Sequence, residues 1–387
     1  MAHIEDRRDK GRGWRARYRA PDGRERSRSF KRRTDAERWL ATQTADIARG
    51  AWIDPSLGRM VFAEWFSRWE NSLVDLRPTT RALNLYVARK YLLPRFGRYS
   101  LVRITTSDVK AMLADELAEG RLSKSAIRRH VLVLRVILQA AVEDGRLGRN
   151  PCIGVKLPPE DARPMRFLTA VELVRVADAT GEHYRPMVLT AGLVGLRIGE
   201  LAGLRVENVN LLKRTIHVRE QLLEVEGKLI FGAPKTKAGK RTVTMPAQLG
   251  EILAEHFSSE PVRRSGLAFP GPKGAALRRN NFRRVWRKAC ARAGFDGGPL
   301  DGLVFHELRH TAVALAVDQG AHPLAIKERI GHASIQTTMD TYGGLFPSIG
   351  EEIAQGLDQE LTRALAALPR PDTAPTVRLR RSEAREN

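Results

Sequence analysis

Hydrophobic and polar residues alternate near the start of the chain. The stretch "WRARYR" alternates bulky and polar side chains, "PDGR" offers a turn, and "ERSRSF" resumes the alternation. This pattern predicts a β-hairpin. The following "TDAERWLATQTADIARG" predicts a helix with Thr34 as N-cap, Glu37 completing a capping box, and Gly50 at its end. Residues 1–57 are therefore predicted to form a small sheet that carries one helix.

The next segment, residues 61–155, is predicted to be all-helical. Apolar residues recur at helical spacing in "VFAEWFSRWENSL", "TTRALNLYVARKYLLPRFG", "TTSDVKAMLADELAEG" and "SAIRRHVLVLRVILQAAVEDG". Thr79, Thr106 and Ser123 stand where N-caps are expected. The proline-rich "KLPPEDARP" that follows, residues 156–164, predicts a linker between domains.

Residues 165–368 mix both periodicities and predict a larger, mostly helical domain with a small antiparallel sheet. "TIHVREQLLEV", "KLIFGA" and "RTVTMP" alternate like strands, while "YRPMVLTAGLVGLRIGELAGL", "RNNFRRVWRKACARAG" and "FHELRHTAVALAVDQG" read as helices. Near the end, "SIGEEIAQGLDQELTRALAAL" predicts an amphipathic helix, and the basic tail 369–387 is predicted to be disordered. The fold class predicted is multidomain α+β.

Composition narrows the class of partner. Lys plus Arg exceed Asp plus Glu by 66 to 44, a net charge of +22, which favours association with a polyanion such as nucleic acid. No apolar run is long enough for a transmembrane helix, so a membrane is not an expected partner. The two cysteines, Cys152 and Cys290, make no disulfide or zinc framework, which fits a reducing cytoplasm.

The basic residues concentrate in segments that predict contact with DNA phosphates. Residues 1–50 hold fifteen Lys or Arg against eight Asp or Glu, and residues 275–293 hold seven Lys or Arg and no acid. A solvated basic surface is the simpler interpretation of any single arginine. The residues predicted to contact DNA are Arg15, Arg17, Arg19, Arg128, Arg129, Arg278, Arg279, Arg283, Arg284 and Arg287.

Two arginines stand in positions that suggest anion binding. Arg197 interrupts the apolar "AGLVGLRIGELAGL", where an unpaired guanidinium is costly to desolvate, and Glu200 is placed to hold it. A structural Arg–Glu pair explains this motif equally well. "FHELRHTAVALA" sets His306 and Arg309 three apart at a predicted helix start, where an arginine can grip a phosphate.

The same stretch, "HELRH", also matches the H-E-x-x-H pattern of zinc proteases. Glu328 is available as a third ligand. However, Arg309 would place a cation close to the metal, and zinc would leave Arg197 and the basic segments unexplained. No metal and no cofactor are therefore expected, and the zinc hydrolase stays an alternative.

The remaining candidates are a lysine and a tyrosine. "PKTKAGKRTV" places Lys235 and Lys237 on a turn between strands, where a lysine can serve as general acid, although an ordinary basic hairpin has the same pattern. "GHASIQTTMDTYGG" contains His332 and Tyr342, the latter being the only tyrosine after Tyr184. A phenol has a pKa of about 10 and needs nearby cations before it attacks. Taken alone, Tyr342 would be interpreted as a structural residue. Together with the candidate arginines, histidines and lysine, it is predicted to be a nucleophile.

The ordered set "GLRIGEL", "PKTK…R", "HELRHT" and "IGHASIQTTMDTYGG" resembles the tyrosine recombinases, the phage integrases in particular. The resemblance implies an arm-type DNA-binding domain at 1–57, a helical, SAM-like core-binding domain at 61–155 and a catalytic domain at 165–368. It also implies that Arg197 and Arg309 clamp the scissile phosphate, Glu200 supports Arg197, and His306 and His332 assist proton transfer. Tyr342 would form a 3′-phosphotyrosyl link, and Lys235, with Lys237 as the alternative, would be the general acid.

The function implied is site-specific integration of a phage or mobile element into a bacterial chromosome. The partners implied are double-stranded attachment-site DNA, three further copies of the chain in a homotetramer on paired sites, a host DNA-bending protein and a directionality factor. The location expected is the bacterial cytoplasm, at the nucleoid. Two alternatives stay open: a transposon recombinase or resolvase of the same chemistry, and a DNA-binding regulator without catalysis.

Overall fold

The computed structural model describes residues 2–8, 13–49, 52, 54, 57–160, 165–346 and 350–367, without the side chains of residues 260, 264 and 350–352. The chain divides into two compact units. The first comprises residues 1–164 with 223–230, and the second comprises residues 165–222 with 231–387. The predicted disordered tail lies outside the described residues.

The first unit begins with a three-stranded antiparallel sheet in the order β1–β2–β3, formed by His3–Asp6, Trp14–Arg19 and Glu25–Phe30. The predicted hairpin is thus confirmed. Helix α1 (Arg33–Ala48) packs on this sheet through Trp39, which meets the ring of Tyr18 edge-on at 5.5 Å. Tyr18 is buried and its hydroxyl is hydrogen-bonded to Trp52 and Gln43.

The predicted cap of α1 is wrong. The helix begins at Arg33, its N-cap is Arg32, and that residue makes no side-chain capping bond. Thr34 therefore lies within the first turn, and Glu37 forms an ion pair with Arg33 at 2.8 Å instead of closing a capping box. Arg33 has already entered the helix one residue early, so Thr34 no longer holds the position from which a cap acts. Gly50 lies outside the described residues.

The rest of the first unit up to residue 160 is helical, as the periodicity predicted. Its helices are α2 (Phe62–Asn71), α3 (Pro78–Val87), a π-helical turn (Ala88–Leu92), α4 (Leu93–Phe96), α5 (Thr106–Glu119) and α6 (Lys124–Glu143). They enclose a core that includes Trp65, Phe66 and Trp69 from α2 and Leu134 and Ile137 from α6.

Two of the three N-cap residues predicted in this segment are wrong, because the helices begin earlier in the chain than predicted. Ser123 caps α6 by accepting a bond from the backbone of Ala126, as predicted. Helix α5 is capped by Thr105, one residue before the predicted Thr106. Helix α3 begins at Pro78, before the predicted Thr79, because the fixed φ of proline suits the first helical position.

The second unit combines helices with short antiparallel strands, as predicted. The helices are α7 (Ala170–Ala179), α8 (Arg185–Val194), α9 (Ile198–Gly203), α10 (Ala247–Phe257), α11 (Glu260–Ser265), α12 (Arg279–Arg292), α13 (Glu307–Asp318), α14 (Pro323–Ile330), α15 (Ile335–Tyr342) and α16 (Gly350–Ala367). In this unit, a three-stranded sheet has the order β4–β5–β8, formed by β4 (Val209–Asn210), β5 (Thr215–Val218) and β8 (Arg241–Thr244). A hairpin is formed by β6 (Gln221–Val225) and β7 (Lys228–Gly232), and its residues 223–230 belong to the first unit. Helix α8 lies at the centre of the unit, buried along most of its length between α7 and α13.

The close approach of α9 to the chain entering β6 depends on Gly203. A Cβ built on Gly203 would lie 2.7 Å from the backbone nitrogen of Leu222 and 2.9 Å from Cα of Gln221. Gly203→Ala should therefore lower the free energy of unfolding by about 1–3 kcal/mol, the usual cost of overpacking a core. Urea unfolding measures this change. Gly250→Ala in α10 is the matched control, because its Cβ meets only Met245 at 3.7 Å. This control should be neutral or stabilising by up to about 1 kcal/mol; equal effects of both variants would contradict the steric argument.

Candidate active site

Arg197 is the N-cap residue of α9, directly after the turn that ends α8. Gly195 makes this turn possible with a φ of +79°, and an ideal Cβ there would lie 3.3 Å from Ala312 in α13. The side chain of Arg197 is 37% exposed, and its Nη1 donates to Oε1 of Glu200 at 2.8 Å. The backbone nitrogen of Arg197 donates to the other Glu200 oxygen at 2.9 Å. The predicted pair therefore forms, and it leaves the guanidinium accessible to an anion.

Glu200 is shared with a second, buried arginine. Arg241, at the start of β8, donates to Oε2 of Glu200 at 3.0 Å, and the side chains are only 6% and 2% exposed. Burial raises the pKa of Glu200, but the hydrogen bond and charge of Arg241, together with Arg197, outweigh it and hold the pKa below 4.5. Glu200 is thus an anion that joins α9 to β8.

Arg309 lies in the first turn of α13 and is almost completely buried. Its Nη1 donates to the carbonyl of Gly195 at 2.6 Å, and its Nη2 donates to the carbonyl of Ile330. Burial, followed by the charge of Arg197, lowers the pKa of Arg309 to about 9. The group therefore stays cationic at neutral pH in a fixed orientation, and a bound anion would relieve its repulsion from Arg197.

The two predicted histidines meet the same cations. His306 is the N-cap residue of α13, and His332 follows Gly331, which ends α14 with a φ of +67°. His306 is exposed as a whole residue, but desolvation of its ring, followed by the charges of His310 and Arg309, lowers its pKa to about 4. Burial and the charge of Arg309 likewise lower the pKa of His332 to about 4. Both rings are therefore neutral at pH 7.

Acidification from pH 7.5 to 5.5 is expected to lower the free energy of unfolding through these two rings. Their pKa values near 4 lie below the ordinary 6.5, so the unfolded chain takes up protons at a higher pH than the folded one. The stability that depends on neutral rings is complete above about pH 6.5 and is lost progressively toward pH 4. Urea unfolding at both pH values measures the loss, and the double variant His306→Asn/His332→Asn should lose less. An equal loss in both proteins would contradict the lowered pKa values.

Tyr342 ends helix α15 and is 2% exposed. Its ring packs with Val313, Val317, Ile326 and Ile330. Its hydroxyl lies 2.8 Å from Nδ1 of His310 in α13. Burial raises the pKa of Tyr342, and the charges of Arg309 and Arg197 oppose that rise. Tyr342 is therefore both a core residue and the residue whose hydroxyl lies within the field of the two arginines.

His332 has its ring nearly parallel to that of the same tyrosine. The two rings are nearly parallel, with an interplanar angle of 12° and centroids 6.3 Å apart. Nδ1 of His332 is hydrogen-bonded to the hydroxyl of Thr338 in α15 at 3.0 Å, which orients the ring. Five predicted residues from three separate stretches of sequence therefore lie in one electrostatic environment: Arg197, His306, Arg309, His332 and Tyr342.

The candidate lysines lie on the turn between β7 and β8. Both Lys235 and Lys237 are exposed, and Lys237 begins a short 3₁₀ turn, Lys237–Gly239. This turn approaches the His332 segment, because a Cβ on Gly331 would lie 2.7 Å from the carbonyl oxygen of Ala238. The assignment of Lys235, with Lys237 as the alternative, stays a prediction.

The arginines predicted to contact DNA have different surroundings. On α12, Arg279, Arg283, Arg284 and Arg287 are exposed, whereas Phe282 and Trp286 face the core. The N-cap residue Arg278, together with Arg19 and Arg129, is also exposed. Three others are engaged within the first unit: Arg15 with Ser27, Arg17 with Glu5 and Glu25, and Arg128 with Glu160. Their contact with DNA stays a prediction.

Two residues of the site were not predicted from the sequence. Arg241 lies within "PKTKAGKRTV" and His310 is the last residue of "HELRH", but neither was given a role. The partners of these residues, Glu200 and Tyr342, lie 41 and 32 residues away in the chain. Helical spacing and adjacency did not indicate either contact, and the "HELRH" string alone was the available signal for His310.

Within the described residues, no three His, Cys, Asp or Glu side chains are grouped closely enough to hold a metal ion. The H-E-x-x-H interpretation therefore has no third ligand beside His306 and His310 in this part of the chain.

Among the described helices, none has the length and apolar character needed to cross a bilayer.

Comparison with known proteins identifies the family to which this chain belongs. The phage integrase family matches residues 166–346, the phage integrase N-terminal domain matches residues 7–49, and the phage integrase N-terminal SAM-like domain matches residues 61–117. The integrase of Mycobacterium phage D29 is 30% identical over 347 residues, which cover 86% of this chain and 89% of the phage protein. The ICEBs1 integrase of Bacillus subtilis (strain 168) is 27% identical and covers 74% of this chain and 80% of its own length.

Solved structures share the fold at lower identity. The Tn1549 transposon integrase in complex with a circular intermediate DNA gives a TM-score of 0.64 at 18% identity, covering 78% of this chain and 99% of that one. A lambda integrase tetramer bound to a Holliday junction gives 0.55 at 17% identity, covering 90% and 95%. The fold is thus that of the tyrosine recombinases. The chain belongs to the phage integrase family, and its class is that of tyrosine integrases of phages and mobile elements, enzymes that act in DNA recombination. The predictions of family, fold class and enzyme class are confirmed.

Proposed function

We propose that this integrase cuts and rejoins DNA at attachment sites through Tyr342. The observation that carries the proposal is that Arg309 donates a hydrogen bond to the carbonyl of Ile330, a residue with which the buried ring of Tyr342 packs. The charges of Arg309 and Arg197 both act on the phenol of this tyrosine. In the proposed reaction the two guanidiniums bind the non-bridging oxygens of the scissile phosphate. Their charge stabilises the phosphorane that forms during attack, a task for which preorganised cations are suited.

Tyr342 attacks phosphorus and makes a 3′-phosphotyrosyl link, and the 5′-oxygen leaves with a proton from Lys235, or from Lys237 in the alternative assignment. His306 and His332, neutral at pH 7, donate hydrogen bonds to the phosphate and assist proton transfer. Glu200 fixes Arg197 and takes no part in bond breaking. Since the phosphotyrosyl ester conserves the energy of the broken bond, rejoining needs no nucleotide and no metal ion.

Separate parts of the chain would hold the DNA. The proposed division has three domains: the arm-type domain 1–57, the core-binding domain 61–155 and the catalytic domain 165–368. The linker is residues 156–164, and the tail is residues 369–387. Within the catalytic domain, α12 presents exposed arginines on the side opposite Phe282 and Trp286, which suits a phosphate backbone. In the first unit, Arg19 and Arg129 are exposed in the same way.

Assembly as a homotetramer on paired sites is supported by the exposed apolar side of α16. Four apolar side chains on this side of α16 are each about half exposed or more: Ile353, Leu357, Leu361 and Leu365. An exposed apolar stripe of this length is typical of an interaction surface. We expect removal of residues 348–387 to abolish synapsis of two sites, in electrophoresis of the protein–DNA complex, while one site remains bound. Intact synapsis by the truncated chain would refute this role of α16.

The biological role proposed is integration of a phage or another mobile element into a bacterial chromosome, in the cytoplasm at the nucleoid. A host DNA-bending protein and a directionality factor are the further partners proposed. The similarity to both a phage integrase and the ICEBs1 integrase supports an integrating element of either kind.

Covalent trapping tests the proposed function. Duplexes that the protein binds are first selected from a random library, then nicked near the bound centre so that the cleaved strand end diffuses away. Incubation in buffer with EDTA should yield a protein–DNA adduct that survives denaturant. No adduct on a duplex that is bound with high affinity would refute the proposal and favour a DNA-binding regulator. Hydrolysis that requires added zinc and leaves no adduct would favour the hydrolase alternative, because zinc activates water rather than a protein nucleophile.

A further inference from the structure

The contact between His310 and Tyr342 has a chemical use beyond packing. Tyr342 must lose the proton of its hydroxyl when its oxygen bonds to phosphorus. The hydroxyl lies 2.8 Å from Nδ1 of His310, within the range for direct proton transfer in a hydrogen bond. The side chain of Tyr342 is buried, so bulk water is poorly placed to take that proton.

The two other histidines of the site are less suited to this task. The ring of His332 is nearly parallel to that of Tyr342, with centroids 6.3 Å apart, and its Nδ1 is hydrogen-bonded to the hydroxyl of Thr338. His306 lies one turn earlier on the same side of α13, with its ring centroid 5.5 Å from that of His310 and its plane nearly perpendicular. Of these three rings, His310 is the one whose nitrogen is hydrogen-bonded to the phenol.

We propose that His310 is the general base that accepts the Tyr342 proton during DNA cleavage, and that it returns the proton during rejoining. The inference rests on the proposed function. In the forward step the Tyr342 O–H proton moves to Nδ1 of His310, the phenolic oxygen bonds to phosphorus, and the bond from phosphorus to the 5′-oxygen breaks. That oxygen takes its proton from the general acid on the β7–β8 turn. In the reverse step the 5′-hydroxyl gives its proton back to the group on the β7–β8 turn and its oxygen bonds to phosphorus. The bond from phosphorus to the Tyr342 oxygen then breaks, and the imidazolium protonates that oxygen.

The electrostatic surroundings keep His310 ready to accept a proton. Burial, followed by the charge of Arg309, lowers the pKa of His310, so the ring is neutral at pH 7. Since the phenol carries its proton at that pH, we assign the His310 tautomer with hydrogen on Nε2. The charged and titratable groups around the ring are His306 and Arg309 on α13, His332 after α14, and Tyr342 on α15.

Proton transfer becomes favourable as the new bond forms. A free phenol is a much weaker acid than an imidazolium, so little transfer occurs before attack. Bonding to phosphorus withdraws electrons from the phenolic oxygen and makes its proton strongly acidic, while the growing negative charge of the phosphorane stabilises an imidazolium nearby. The transfer is therefore expected in the transition state, where a base of moderate strength is effective.

Two substitutions separate proton acceptance from positioning. His310→Ala removes both the base and the hydrogen-bond acceptor. His310→Asn removes the base but retains an amide oxygen near the position of Nδ1, where it can still accept a bond from Tyr342. His217→Asn is the matched control, because Nδ1 of that half-buried histidine also contacts a hydroxyl, that of Thr242 at 2.8 Å, between strands β5 and β8.

The measurement is the single-turnover rate of adduct formation on a duplex with a bridging 5′-phosphorothiolate. Its sulfur leaves without needing a general acid, so the rate reports on activation of the nucleophile. His310→Ala and His310→Asn should both be slower than the parent protein by on the order of 100-fold at pH 7, with unchanged DNA affinity. Their rates should climb with pH well above the region where the parent rate becomes constant, and His217→Asn should match the parent.

The inference is overturned if His310→Asn keeps the parent rate and pH profile, which would reduce His310 to a positioning residue. It is also overturned if His310→Ala reacts at the parent rate. Failure of the proposed function has a different signature: the parent protein itself would form no adduct, whatever the variants do.

Discussion

Replacing Arg309 by lysine is expected to slow covalent adduct formation by about 10³-fold while changing DNA affinity little. Arginines that stabilise the charge of phosphoryl transfer contribute factors of this order. The two terminal nitrogens of Arg309 are held by the carbonyls of Gly195 and Ile330, so the orientation of its planar group is fixed. A lysine keeps the charge but cannot contact both carbonyls and still present a second donor to a phosphate. Single-turnover cleavage and equilibrium DNA binding measure the two effects.

The control for this prediction is Arg175→Lys, which changes an exposed arginine on α7 in the same unit. It should leave both cleavage and binding unchanged. Since Arg309→Lys leaves a buried carbonyl without its partner, we also expect a loss of stability of about 1–3 kcal/mol, and the assay is best done well below the midpoint of thermal unfolding. Cleavage by Arg309→Lys within tenfold of the parent would contradict the clamp.

Arg241→Met is expected to lower the free energy of unfolding by about 3–5 kcal/mol, the usual cost of removing one partner of a buried ion pair. The substitution leaves Glu200 buried, with only the half-exposed Arg197 as its ionic partner. It also removes the bond that Arg241 donates to the carbonyl of Arg329, which ties β8 to α14. Urea unfolding measures the effect at pH 7, where Glu200 is ionised.

A second arginine shows whether burial is the cause. Arg185→Met removes an ion pair with Asp178 whose partners are 34% and 56% exposed, and exposed pairs contribute about 0–1 kcal/mol. The double variant Arg241→Met/Glu200→Gln should recover part of the lost stability, because the uncompensated charge is gone. A cost below about 1 kcal/mol for Arg241→Met alone would show that Glu200 does not depend on it.

The sequence predicted the parts of the fold that depend on local periodicity. The alternation of "WRARYR" and "ERSRSF" corresponds to β2 and β3, and Ser123 caps α6 as expected. Helix starts were misplaced at Thr34, Thr79 and Thr106, because a neighbouring residue entered the helix first or was the better cap. Local patterns fix which segments are helical more firmly than where each helix begins.

The site was predictable to the extent that its residues carry unusual local contexts. Arg197 was conspicuous among apolar neighbours, and Glu200 three residues later does pair with it. By contrast, the bonds from Arg241 to Glu200 and from His310 to Tyr342 depend on how β8, α13 and α15 pack, which no local pattern encodes. Charge density likewise did not indicate that Arg17 and Arg128 form ion pairs with acids of their own unit.

Identification of the residue joined to DNA tests the central claim most directly. The adduct formed on a nicked duplex would be digested with protease and nuclease, and the peptide that retains a nucleotide would be sequenced by mass spectrometry. The account predicts a phosphotyrosyl bond at Tyr342 to a 3′-nucleotide, and no adduct from Tyr342→Phe on DNA that this variant still binds. A nucleotide on any other residue, or an adduct that persists in Tyr342→Phe, would contradict it.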